Sequence, residues 1–215
     1  MKKIVSILLA LALCLSAVAM AENVPSKTVT DLTRFEVVAE NQPGDETLYL
    51  LPVTELTVGE NSMEEYQERI DICEKEIAKL AASGDAADYF ANVTDSEGNP
   101  VDLRALLGLA ADAPLNVFEF CPAIAGGFKE NCGKVTATML FSTPYAENEK
   151  VLVLIGIVTV HEDGTQSVAW QVFEGIGVAP VKGQTETYGS IQVELTPEIV
   201  NAIENEMAII AIVSK

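Results

Sequence analysis

Histidine occurs once in this chain, at position 161, and tryptophan once, at position 170. A Ser-His-Asp or Cys-His site would have to recruit His161 as its base. That residue stands at a strand end just before the turn Glu162-Asp163-Gly164, no G-x-S-x-G elbow occurs, and no cysteine carries a nucleophile signature. The expectation is a solvent-facing turn histidine and no catalytic constellation. Zinc is equally short of ligands, because neither C-x-x-C nor H-x-x-x-H is present. Gly126-Gly127 lacks both the lysine of a P-loop and dinucleotide-binding spacing, so no cofactor is expected. Cations are scarce too: 13 Lys and Arg stand against 32 Asp and Glu. Nucleic acid and anionic lipid reward rows of basic side chains, so neither is expected as a partner.

Long apolar runs are missing except at the start. Lys2 and Lys3 precede Ile4 to Leu15, and Ala19-Met20-Ala21 offers a small-x-small cleavage site. This run is too short for the roughly 20 residues a helix needs to cross a bilayer. Residues 1–21 therefore read as a cleaved signal peptide, with the mature chain starting near Glu22 and working outside the cytoplasm. Cys14 follows a bulky Leu13 where a lipobox wants a small residue, which argues against lipidation. The leader holds two of the basic residues and none of the acids, so a net charge of −19 becomes −21 on its removal. Such a charge keeps an exported protein soluble. With 49% hydrophobic residues the chain can still build a core, and the mature part holds no second run of membrane-spanning length.

Three cysteines survive maturation, Cys73, Cys121 and Cys132, and an odd number leaves at least one without an intramolecular partner. Cys121 and Cys132 end two strands joined by a Gly-containing loop. Two readings stand: a disulfide between them, or buried free thiols.

The clearest local element starts at Ser62, which forms an S-x-x-E capping box with Glu65. Tyr66, Ile70, Cys73, Ile77 and Leu80 then make a narrow apolar stripe on a helix ending near Gly84. Upstream, Arg34 to Glu40 and Thr47 to Val53 read as strands joined by a turn-rich hairpin loop at 41–45. Asp85 to Ala91 adds a helical turn, Asp102 caps a short helix through Leu107, and Ala110 to Pro114 reads as a linker. Beyond it come candidate strands at 116–121, 134–141, 151–160, 167–173, 176–181, 190–195 and 207–213. Thr196-Pro197 opens a short helix before the last of them. The expected organisation is a signal peptide at 1–21, an α+β part at 22–113, and an all-β, Ig-like antiparallel sandwich at 114–215. Val151 to Ile155, apolar on both faces, should be a central strand. Val168, Trp170 and Val172 should alternate inward, hiding Trp170 between two sheets.

The run from Val135 to Tyr145, Val151 to Val158, Val168-Ala169-Trp170, and Leu195-Thr196-Pro197-Glu198 leading into Ala208 to Ser214 resembles short exported proteins of anaerobic Gram-positive bacteria. Glu76-Ile77-Ala78-Lys79-Leu80 resembles them more weakly. That resemblance implies export and a β-rich C-terminal half, and carries over no activity or ligand.

Two oxygen-based chemistries remain. Asp95, Glu97, Asn99 and Asp102 loosely resemble a calcium loop, but Gly98 stands fourth and no glutamate stands twelfth. Paired carboxylates for glycoside hydrolysis are guaranteed somewhere by the number of acids, so no pair singles itself out. Tyr145 and Tyr188 are the candidate exposed aromatics for glycan stacking, and Asn92-Val93-Thr94 matches a glycosylation acceptor. The expectation is an exported, non-catalytic binding or structural protein of the cell envelope or medium, with a protein or glycan partner. The alternatives are a secreted hydrolase using carboxylates and a calcium-stabilised adhesion module.

Overall fold

A computed structural model describes residues 32–40, 49–53, 63–128, 132–141, 145–182 and 187–215. The signal peptide with Cys14, the loop at 41–45 and Ser62 lie outside them. Eight strands form one antiparallel sheet: β1 (Leu32–Ala39), β2 (Tyr49–Pro52), β3 (Asn116–Gly126), β4 (Val135–Phe141), β5 (Lys150–Val160), β6 (Gln166–Lys182), β7 (Thr187–Leu195) and β8 (Met207–Ser214). Their order is β1-β4-β7-β6-β5-β8-β3-β2. The edge strands β1 and β2 come alongside each other, so the sheet curls until it is nearly closed. No ladder joins these two among the described residues, where the sequence predicts a hairpin.

This is one curled sheet in place of the Ig-like pair of stacked sheets expected after residue 113. Strands β1 and β2, from before that point, pair with β4 and β3 from after it. One source of the difference is β6. The sequence predicts two strands broken around Gly175, but β6 runs unbroken for 17 residues. Its glycines mark close approach and not a turn. A Cβ on Gly175 would meet Val151 Cγ2 at 2.9 Å, and one on Gly177 would sit 2.1 Å from the Ala146 carbonyl oxygen.

Both faces of the sheet are covered near its middle. On β5, which lies between β6 and β8, Val151, Val153 and Ile155 point to the inner core. Leu152, Leu154 and Val158 point to a second, outer core. The inner core is closed by helix α4 (Pro197–Asn205), which inserts Ile199, Val200 and Ile203. The Thr196 side chain caps α4 by accepting from Ile199 N–H, with Pro197 in the first turn, as its sequence predicts.

The outer core lies under three helices, α1 (Met63–Ser83), α2 (Ala86–Tyr89) and α3 (Leu103–Leu107). Asp85 and Asp102 cap α2 and α3 through their carboxylates, and Gly108 ends α3 at φ 66°. Helix α1 buries Ile72, Cys73, Glu76 and Leu80, with Ile77 half-buried. That face is turned from the predicted stripe so that Glu76 lies within it. Trp170 is 7% exposed and buried as expected, but a helical layer covers it and not a second sheet. Each fully buried large aliphatic side chain here contributes about 1.5–3 kcal/mol.

Candidate functional site

Glu76, 2% exposed, is the most developed polar cluster among the described residues. Its Oε1 accepts from Lys79 Nζ at 2.5 Å and Gln166 Nε2 at 3.0 Å, and its Oε2 accepts from Tyr89 Oη at 2.8 Å. One carboxylate thus ties α1 to the end of α2 and to β6. A buried carboxylate is tolerable only when its oxygens are satisfied in this way. Beside it Cys73 Sγ faces the Phe120 carbonyl oxygen at 3.8 Å. Burial, then Glu74 and Glu76, push the Cys73 thiol up to about 12, which makes it a poor nucleophile at neutral pH. Burial and the bond to Glu76 also raise Tyr89 well above the usual phenol range.

These shifts carry a pH dependence. An acid whose pKa is raised on folding stabilises the native state fully below its unfolded pKa and loses that contribution as pH climbs. Cys73 should therefore cost stability from pH 9.0 up to about 12, and Tyr89 should add to the loss above pH 10.0. Each group gives a slope of about 1.4 kcal/mol per pH unit. Urea melts from pH 8 to 11 should show falling stability, with the onset moved upward in Cys73→Ala. A flat profile would mean that both groups are solvated.

All three described cysteines are buried and outside any disulfide; Cys121 and Cys132 share the inner core without a bridge between them. Burial raises the Cys132 thiol as well.

The acids of the 95–102 loop are occupied by the chain itself. Asp95 Oδ1 accepts from the main-chain N–H groups of Glu97 and Asn99, both at 2.9 Å, and from Asn99 Nδ2. Asp102 Oδ1 caps α3 through Arg104 and Ala105 N–H. Calcium needs oxygens free of donors. Melting temperature should be unchanged between millimolar calcium and chelator; a rise of several degrees would restore the calcium reading.

The β5–β6 hairpin end gathers the remaining candidates. His161 is exposed, and its Nε2 lies 3.0 Å from Ser167 Oγ. The turn forms as the sequence predicts, with Gly164 at φ 79° and His161 N–H donating to Thr165 O at 2.8 Å. Asp163 Oδ1 is taken by Thr165 N–H and Oγ1. A His-Ser contact has the spacing of a base and nucleophile, but the acid beside it faces threonine, so no third group orients the imidazole through Asp163. Beyond the hairpin end, β6 loses its second neighbour: β7 pairs only from Gly175 onward. Among the described residues Thr94 alone bridges that edge, its N–H donating to Trp170 O at 3.0 Å and its O accepting from Val172 N–H at 2.8 Å.

Tyr145 is half-buried against the inner core, 5.6 Å from Phe118 between ring centroids. Tyr188 lies in β7, with its side chain outside the described residues. Asn92 is exposed whereas Val93 is fully buried. Gly127 N–H donates to Glu204 Oε1 at 3.1 Å, linking the end of β3 to α4. A cavity of about 230 Å³ opens between Phe90, Val101, Leu103 and Arg104. Arg104 is already committed there: its Nε donates to Ala113 O at 2.7 Å and its guanidinium pairs with Asp85.

Two buried carboxylates escape sequence reasoning. Glu76 is one; the other is Glu119, 1% exposed. Glu119 stands opposite Ile212 and, in alternation with Cys121 and Ala123, on the inner face, while a bulge between Val117 and Glu119 leaves Val117 on the outer one. Among the described residues no group of three or more His, Cys, Asp or Glu side chains is arranged to hold a metal. The chain matches no family model, no curated protein and no solved structure.

Proposed function

We propose that this is an exported binding or structural protein that works without catalysing a reaction. Export rests on the Met1 to Ala21 leader and on the acidic mature surface. The observation that carries the binding role is the β5–β6 hairpin end, where an exposed strand edge is left without a second strand. The polar groups described above are meanwhile consumed by contacts that hold the fold. Its place of work would be the cell envelope or the medium, with a protein or glycan partner. Mass spectrometry of protein secreted by a Gram-positive host should find a mature N-terminus at Glu22. A chain retained in the cell with residues 1–21 intact would remove the export half of the proposal. The purified protein should turn over nothing in a broad glycosidase and peptidase panel. Turnover abolished by substituting one Asp or Glu would establish the carboxylate hydrolase in its place.

A further inference from the structure

The free edge of β6 belongs to a hairpin whose bonding pattern can be read residue by residue. In an antiparallel ladder, residues that bond across to the partner strand alternate with residues whose main-chain groups face away. His161 and Thr165 are bonded to each other, while Trp170 O and Val172 N–H face away from β5 toward Thr94. By that alternation Ser167 and Ala169 bond to β5, and Gln166 and Val168 turn their N–H and C=O groups outward. Among the described residues no main chain pairs with Gln166 to Ala169 on that side. Ser167 and Ala169 are exposed and Val168 is half-buried.

We infer that this edge binds an extended, cationic segment of a partner protein, which adds to the sheet as a strand beside Gln166 to Ala169. This rests on the binding role proposed above and specifies its partner. Strand addition derives affinity from main-chain bonds and selectivity from alternate side chains. Here the half-buried Val168 offers an apolar contact beside an acidic turn. Glu162 and Asp163 lie at the turn, whereas the parallel bridge of Thr94 to Gln171 carries Asp95 and Glu97 away from this edge. Bonds from Thr165 hold the Asp163 carboxyl below its ordinary range. The edge from Gln166 to Ala169 spans four residues, about 13 Å at 3.3–3.4 Å each. A segment with Lys or Arg at the end that lies beside the turn would meet Glu162 and Asp163. A second copy of this chain, with its net charge of −21 after leader removal, would bring like charge to the same place.

The test uses a blocked nine-residue peptide of alternating Val and Thr with Lys near each end, titrated into the ¹⁵N-labelled mature protein. The expected result is shifted and exchange-protected amides at Gln166 and Val168. The same peptide N-methylated on alternate residues, which cannot complete the ladder, should bind at least about tenfold more weakly. Val168→Pro removes an outward N–H while sparing the bonds to β5, and should weaken binding comparably. If that variant misfolds, the N-methylated peptide still decides the matter. Equal affinity for both peptides, with shifts spread over surface acids, would reduce the interaction to charge alone and overturn the inference. Protection of the same amides on concentrating the protein by itself would give the edge to a second copy. Absence of any binding sinks the edge while leaving the export and turnover tests untouched.

Discussion

Replacing Glu76 with leucine is expected to destabilise the protein by about 2–4 kcal/mol, far more than loss of any exposed acid. The carboxylate accepts from Lys79, Tyr89 and Gln166. Lys79 can turn to solvent, since half of its side chain is exposed. Tyr89 and Gln166 are partly buried and cannot escape as readily, and each stranded donor costs about 1–3 kcal/mol. Adding Tyr89→Phe to the leucine variant removes one stranded hydroxyl, so the double variant should recover part of the loss. Glu174→Ala, which removes an exposed partner of Lys150, should stay within about 0.5 kcal/mol of wild type. Chemical denaturation measures all four, and a Glu76→Leu cost equal to that of Glu174→Ala would show that the carboxylate faces water.

Trp170→Ala should be the most damaging truncation, at about 3–5 kcal/mol. The indole meets three aromatic rings, Phe90 at 5.2 Å, Phe120 at 5.7 Å and Tyr89 at 6.2 Å between centroids. It also lies across Gly156, directly opposite in the β5–β6 register. A Cβ on Gly156 would come within 2.8 Å of the ring and 2.5 Å of Val168 Cγ1. Gly156→Val should therefore push the ring outward, costing about 1–3 kcal/mol. The single tryptophan makes this visible: emission in the wild type should be blue-shifted and resist iodide quenching, and Gly156→Val should move it to the red. Unchanged emission and unchanged stability would show that the ring does not rest on Gly156.

Much of the local structure is legible in the sequence. Asp102 and Thr196 act as caps, Glu162-Asp163-Gly164 turns a hairpin, and Val151 to Ile155 is buried on both sides. These features depend on neighbours in sequence, where periodicity and capping chemistry are direct signals. What covers the outer face of β5 is not local. The short helices α2 and α3 and the helix α1 lie on a sheet whose strands mostly come later in the chain, and no periodicity records that docking. Glycines at 175 and 177 read as a break because the backbone that crowds them, such as Ala146, is distant in sequence. The candidate site was less visible still. His161 stands out as the only imidazole, but the unpaired edge beside it depends on where β7 stops pairing, a property of the assembled sheet. Glu76 falls four residues after Ile72 and four before Leu80, so it lies on a buried face that its charge argues against.

A NOESY spectrum of the mature protein tests the helix-covered single sheet most directly. Cross-peaks from the Trp170 indole to the rings of Phe90 and Tyr89 are predicted, because both belong to the segment just before the linker at 110–114 and pack on β6. An indole with cross-peaks only to strand side chains, and none to Phe90 or Tyr89, would contradict that arrangement.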